Sequence, residues 1–364
     1  MSLSPIPYIR WAKEHAAEGE FPLTMSAVPP VDWDDLDLDP RSLALSEFTA
    51  YGDLSVREGI GAEWGWGAER VFLGSSATHT HFCFAASLLE PGDRVLYEQP
   101  GYLPLLDALS LLQVEAVPFE RRFEDAYAIP RESLQAAATD PRTKLILLTD
   151  LHNPSGVALT EDDRAFLGTL CEDSGVEVIV DEMYRTFLDP DPGPACRFHD
   201  KIVTVGGFNK VMGLSQIRIG WGIATPDRIE RARRILDATT IHNSCLTDQV
   251  ARAAWPVRDR LLSRARSIAA AGWSVLGPWL ERSPLECVTP SGGLVCFPKV
   301  PESFAAGTGS DAAGDAFQRA ALARGVNVTP GRFFGAPGHV RLGCGLPPAE
   351  LASALGRLEE LVPA

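Results

Sequence analysis

Short apolar runs rich in β-branched and aromatic residues recur between residues 70 and 225. They are RVFLG (70–74), RVLYE (94–98), VEAVPF (114–119), KLILLTD (144–150), VEVIVDE (176–182), KIVTVGGF (201–208) and IRIGWGIA (217–224). Most are separated by helix-like segments: HFCFAASLL (81–89), PLLDALSLL (104–112) and EDDRAFLGTLCEDSG (161–175), the last ending on a glycine where a helix stops. This alternation predicts an α/β fold, a mostly parallel seven-stranded sheet flanked by helices on both faces. The runs at 201–208 and 217–224 leave no room for a helix between them, so that pair is expected to be an antiparallel hairpin.

The flanks read differently. The first 45 residues are rich in Pro, Asp and Trp (PPVDWDDLDLDP) and show no clear periodicity. Past residue 226 comes a long helical pattern, PDRIERARRILDATT, with more helix to about 281. The end is α+β in pattern: LECVTP, GGLVCFPKV, a helix at 310–324, VNVTPG, HVRLGCG and a closing helix. FAAGTGSDAAGDAF (304–317) reads as a loop entering a helix. The expected organisation is an N-terminal arm (1–45) belonging to a smaller α+β domain, a large domain (46–250) and a small C-terminal domain (251–364).

Length agrees with two domains, since 364 residues exceed one ordinary core. A net charge of −15 argues against nucleic acid or an anionic membrane as a partner held by bulk charge, while leaving room for a local cationic pocket. The N-terminus, MSLSPIPYIRWAKEH, has no long apolar run, so neither a signal peptide nor a membrane span is expected. Seven cysteines, at 83, 171, 196, 245, 287, 296 and 344, form no CxxC pair and are odd in number. They predict reduced, packed thiols in the cytoplasm, with no disulfide scaffold and no zinc site.

Ligands of open α/β sheets bind beyond the carboxyl ends of the strands. The polar residues that follow the apolar runs are SSATHTH, QPGY, LHNPSG, Asp181 with Tyr184, and Asn209 with Lys210; Arg218 stands at the start of the last run. Ser76, Tyr102, Asn153, Asp181, Tyr184 and Lys210 therefore fall on one rim. Each has a plainer reading. Lys210 alone is a solvated lysine at a strand end, Asp181 a cap, and Asn153-Pro-Ser-Gly a turn. Ser76 or Thr78 serves as a helix cap, and Arg341 as a surface arginine on a strand. His79 and His81 alternate, but no third ligand is placed beside them, so no metal is expected.

Order and spacing favour the joint reading. The chain resembles the fold-type I pyridoxal-phosphate enzymes of the class I/II aminotransferase family at seven segments. These are YGDLSVREGI (51–60), GSSATHTHF (74–82), EPGDRVLYEQPGY (90–102), HNPSG (152–156), VDEMY (180–184), FNKVMGLSQIRIGW (208–221) and PGRFFGAPGHVRLGCG (330–345). The resemblance implies that Lys210 is the lysine that bonds the cofactor aldehyde, and that Arg218, with the helix start at Ser76, Ala77 and Thr78, grips its phosphate. It implies that Asp181 pairs with the ring nitrogen, that Asn153 and Tyr184 donate to the ring hydroxyl oxygen, and that Tyr102 stacks on the ring. Asn209 precedes the lysine where the family has Ser or Thr, and Arg341, with Asn153, would grip the substrate carboxylate. Lys210, Asp181 and Tyr184 are then the catalytic candidates.

The implied activity is transfer of an amino group between an L-amino acid and a 2-oxo acid by a cytoplasmic homodimer. The alternative is a lyase or cyclase of specialised amino-acid metabolism, like the capreomycidine synthase branch. A non-enzymatic regulator ranks below both, since the chain carries no appended basic helix-turn-helix. Some positions depart from the family pattern. Ser76 stands where the family has Gly, His79 where it has Glu, and Glu47 where it has the tyrosine that reaches the partner's phosphate; Tyr51 is a displaced substitute. Thr240, His242 and Asn243 either approach the pocket or pack helices, and Trp33 with SAVPP (26–30) is placed at the entrance.

Overall fold

A computed structural model describes residues 5–304 and 312–361. Its main sheet has seven strands: β1 (Val71–Gly74), β2 (Arg94–Gln99), β3 (Glu115–Glu120), β4 (Thr143–Thr149), β5 (Glu177–Asp181), β6 (Ile202–Gly207) and β7 (Gly220–Ile223). Their order across the sheet is β1-β7-β6-β5-β4-β2-β3. Only β7 runs against the rest, pairing antiparallel with both β6 and β1. The expected hairpin is therefore present, but its second strand starts at Gly220, so Arg218 sits in the preceding loop and not on the strand.

The alternation of side chains along the strands builds two cores. Leu145 and Leu147 of β4 pack with the helix Ala77–Leu88 and the helix Pro226–Thr239 on one face, while Ile146 and Leu148 pack with the helix Glu161–Ser174 on the other. Each such buried aliphatic contributes about 1.5–3 kcal/mol by leaving water. The Glu161–Ser174 helix starts with a reciprocal capping box between Thr160 and Asp163 and ends at Gly175, whose φ of 77° suits glycine. The expected helix at 104–112 is shorter: one α-turn, Pro104–Asp107, runs into a 3-10 segment, Ala108–Leu112.

The N-terminal arm holds an element that its sequence hid. Pro7–His15 is an α-helix with proline in its first turn and no side-chain cap at Ile6. It places Tyr8 and Trp11 on one face against Phe333. The arm then adds Phe21–Pro22 as a parallel partner of Val326–Asn327. Nearby, Thr329–Pro330, Val340–Gly343 and Val295–Cys296 form a small antiparallel sheet backed by the helices Arg258–Arg282, Ala313–Leu322 and Pro348–Glu359. LECVTP gives only a single bridge, Glu286 with Lys299. The boundary drawn at 250/251 falls inside the helix Cys245–Ala254. Of the loop read at 304–317, residues 305–311 lie outside the described residues.

Candidate active site

The carboxyl ends of β1, β4, β5 and β6 open into one cavity of about 940 Å³. Ser76, Ala77, Thr78, Tyr102, Asn153, Asp181, Tyr184, Asn209, Lys210 and Arg218 all line it. Arg341 does not line it but stands directly behind, 1% exposed.

The helix Ala77–Leu88 follows β1 through the turn at Ser75–Ser76 and presents its N-terminus to the cavity. Ser76 Oγ accepts from His79 N–H at 3.0 Å, and the first-turn N–H groups of Ala77 and Thr78 have no acceptor inside the helix. The serine at the family's glycine position is accommodated because its φ of 171° is extended backbone open to any residue. The turn sits tightly on β7: a Cβ added to Gly220 would lie 2.2 Å from the Ala77 nitrogen. His79 ties the turn down. Its Nδ1 accepts from Ser75 N–H at 3.3 Å, which makes Nε2 the donor to Thr239 Oγ1 at 3.0 Å. Burial lowers its pKa, consistent with that neutral tautomer.

Lys210 follows β6, and its carbonyl accepts from Val28 N–H of the arm at 3.0 Å. Its Nζ donates to Ser26 Oγ at 3.3 Å. Burial first, then the charges of Arg341 and Arg218, pulls its pKa down to about 8, against the pull of Asp181. Arg218 forms no hydrogen bond or ion pair with a described residue. Asp181 ends β5 with both oxygens engaged: Oδ1 accepts from Met183 N–H at 2.9 Å, and Oδ2 meets His81 Nε2 at 3.0 Å. Burial pushes the Tyr184 hydroxyl up to about 12.

Asn153 is held from below. Its N–H donates to Thr149 Oγ1, which donates to Glu98, and Glu98 is paired with buried Arg121 at 2.8 Å. Arg341 Nη1 donates to Asn153 Oδ1 at 3.0 Å, so the amide nitrogen of Asn153 is left to donate elsewhere. Arg341 Nη2 donates to Tyr8 Oη at 3.0 Å and to Thr24 O at 3.2 Å. Tyr8 in turn meets Tyr102 edge to face, with ring centres 5.6 Å apart.

Three residues at this site escaped the sequence: Tyr8, His81 as the partner of Asp181, and Gln216 in the lining, while Ser26 of the SAVPP segment lines the cavity. Only Tyr8 had a local signal, the Tyr8/Trp11 spacing behind Pro7. Thr240, His242, Asn243 and Trp33 do not line the cavity. Asn243 braces the helix turn instead, accepting from Ser75 Oγ and donating to Leu73 O, both at 3.1 Å. Glu47 is clamped by Arg252 at 2.5 and 2.9 Å. Tyr51 lies under Arg233 with its hydroxyl 3.4 Å from Asp237, so neither reaches the cavity.

As a donor set, the cavity fits pyridoxal phosphate. An unpaired guanidinium and a helix N-terminus suit a phosphate, a fixed carboxylate suits a pyridinium, and an amine of lowered pKa suits an aldehyde.

Comparison with known proteins agrees. The model of the family "Aminotransferase class I and II" matches residues 48–358. Capreomycidine synthase of Streptomyces vinaceus is 27% identical over 99% of this chain and 94% of its own length. Histidinol-phosphate aminotransferase 2 of Ralstonia nicotianae is 29% identical over 86% of this chain and 81% of its own. A solved PLP-dependent aminotransferase from Streptococcus suis superposes with a TM-score of 0.88 at 23% identity, covering 99% of this chain and 98% of that one.

Proposed function

Since the chain belongs to the class I and II aminotransferase family, whose cofactor is pyridoxal phosphate, we propose that it transfers an amino group between an L-amino acid and a 2-oxo acid. The observation that carries this reading is the placement of Lys210, Asp181 and Arg218 in one cavity, Arg218 without a partner among the described residues, where burial lowers the Lys210 pKa.

When bound, the cofactor supplies a conjugated ring that disperses negative charge from the substrate Cα. Arg218 and the N–H groups of Ala77 and Thr78 would hold its phosphate, with Ser76 and Asn209 beside them. Asp181, oriented by Met183 N–H and His81, would pair with the ring nitrogen and keep it protonated. Asn153 Nδ2 and the Tyr184 hydroxyl, both in the lining, would donate to the ring hydroxyl oxygen, and Tyr102 would pack against the ring. Arg341 has five N–H donors with three bonds made, so it retains capacity for the substrate carboxylate beside Asn153. Lys210 Nζ, available in neutral form, would take the substrate Cα proton and carry it to the cofactor carbon that bore the aldehyde, which amino transfer requires.

A lyase or cyclase on the same residues is the second reading. It is favoured by the match to capreomycidine synthase, which spans 99% of the chain where the Ralstonia aminotransferase match spans 86%.

The same proposal takes the enzyme to be a cytoplasmic homodimer with residues 1–45 and 251–364 as its small domain. Seven free cysteines support a reducing compartment, and the pairing of Phe21–Pro22 with Val326–Asn327 supports the joining of the arm to the small domain. Among the described residues no helix is long and apolar enough to cross a membrane.

Borohydride treatment of the cofactor-loaded protein, followed by peptide mapping, should tag Lys210; a tag only elsewhere would sink the assignment. Single-turnover reaction with amino acids separates the two chemistries. An aminotransferase releases a 2-oxo acid and leaves the cofactor in its amine form, whereas a lyase or cyclase returns the aldehyde.

A further inference from the structure

The cavity has two apolar stretches in its lining. One is the start of the Pro7–His15 helix, with Ile6, Ile9 and Ala12; the other is the Pro104–Leu112 turn pair, with Leu105, Ala108 and Leu111. Two charged side chains that the chemistry above leaves unused also line the cavity, Lys13 and Asp107.

They differ in environment. Lys13 is exposed near the end of its helix, where water solvates its ammonium. Asp107 is half-buried and has no hydrogen-bond or ion-pair partner among the described residues. Burial pushes its carboxyl above the usual range, and no cation pulls it back. A carboxylate that has lost part of its hydration without gaining a partner is unfavourable by itself. In an amino-acid site, a cationic side chain from the substrate would replace the lost water.

Reach agrees with this. Asp107 lies five residues beyond Tyr102 along a largely helical stretch, so roughly 7 Å from it along the axis, and both line the cavity. That is comparable to the length of an extended arginine or lysine side chain. The aliphatic stem of such a side chain would lie against Ile9 and Leu105, as long cationic side chains do on apolar surfaces.

Resting on the amino-acid reading above, we propose that Asp107 selects the substrate side chain and that the substrate is a basic α-amino acid, its terminal guanidinium or ammonium paired with the Asp107 carboxylate. Selection of an acidic side chain by Lys13 is the competing outcome.

The test uses the cofactor-loaded protein and reads dissociation constants from the change in cofactor absorbance. The probes are L-arginine, its neutral isostere L-citrulline, and L-glutamate. Arginine is expected to bind at least about tenfold more tightly than citrulline, the size of one charge-assisted hydrogen bond. In Asp107→Asn that ratio should collapse to within about twofold, and Asp107→Glu should restore part of it. The cofactor band in each variant reports that the site is folded. Equal binding of arginine and citrulline by the unaltered protein, an unchanged ratio in Asp107→Asn, or a preference for glutamate would overturn the assignment of Asp107 alone. Absence of any Lys210-dependent cofactor band would instead overturn the catalytic reading, and this inference with it.

Discussion

At the residue scale, one amine decides the chemistry. A lysine ammonium in water loses its proton near 10.5, whereas Lys210 does so at about 8. Burial is the largest cause, and the cations Arg341 and Arg218 add to it. In the cofactor-free protein, the rate at which Lys210 takes up added pyridoxal phosphate should therefore rise with pH, with its midpoint near 8. The signs of substitution follow. Arg341→Gln removes a cation that opposes the ammonium, so the midpoint moves up; Asp181→Asn removes an anion that favours it, so the midpoint moves down. Borohydride trapping of the Lys210 label across pH measures both, and a midpoint near 10.5 in the unaltered protein would refute this account.

At the scale of elements, the site depends on how closely the Ala77–Leu88 helix approaches the sheet. That approach requires glycine at 220, since an added Cβ would fall 2.2 Å from Ala77 N and 2.3 Å from Ser76 C, both backbone atoms that cannot swing aside. Gly220→Ala should push the helix start off β7. Overpacking of this kind costs about 1–3 kcal/mol, read as a lower thermal midpoint. It should also weaken pyridoxal phosphate binding at least about tenfold, read by equilibrium dialysis, because the N–H groups of Ala77 and Thr78 move with the helix. A variant with unchanged stability and cofactor affinity would show that the contact does not position the site. Elements with strong period were legible: the seven strands, the capped helix ending at Gly175, and the 220s hairpin all follow from runs and breakers. The Pro7–His15 helix was not, because Ile6 offers no cap and the proline-rich segment after it reads as irregular.

For the whole molecule, the unsettled surface lies where residues 44–54 meet 241–249. Gln249 fixes the two segments together, accepting from Ala44 N–H and donating to Ala44 O, each at 2.8 Å. Between them they leave Leu45 84%, Phe48 79% and Ile241 71% exposed, an apolar patch that a second copy of the chain would cover. Light scattering should find a solution mass twice that of the chain, and Phe48→Glu should shift it toward the monomer. A monomer at all working concentrations would count against the homodimer.

The amino-acid sequence by itself determined which residue types stand at the ends of the strands. Side-chain period and turn chemistry are local, and they put Ser76, Tyr102, Asn153, Asp181, Tyr184 and Lys210 on one rim. Only the tertiary structure decided which groups those residues meet. His81 finds Asp181 across 100 residues, and Tyr8 finds Arg341 across 333. Asp107 is left without a partner among the described residues for the same reason. A hydrogen bond between distant segments depends on how whole elements pack, and no spacing along the chain encodes that.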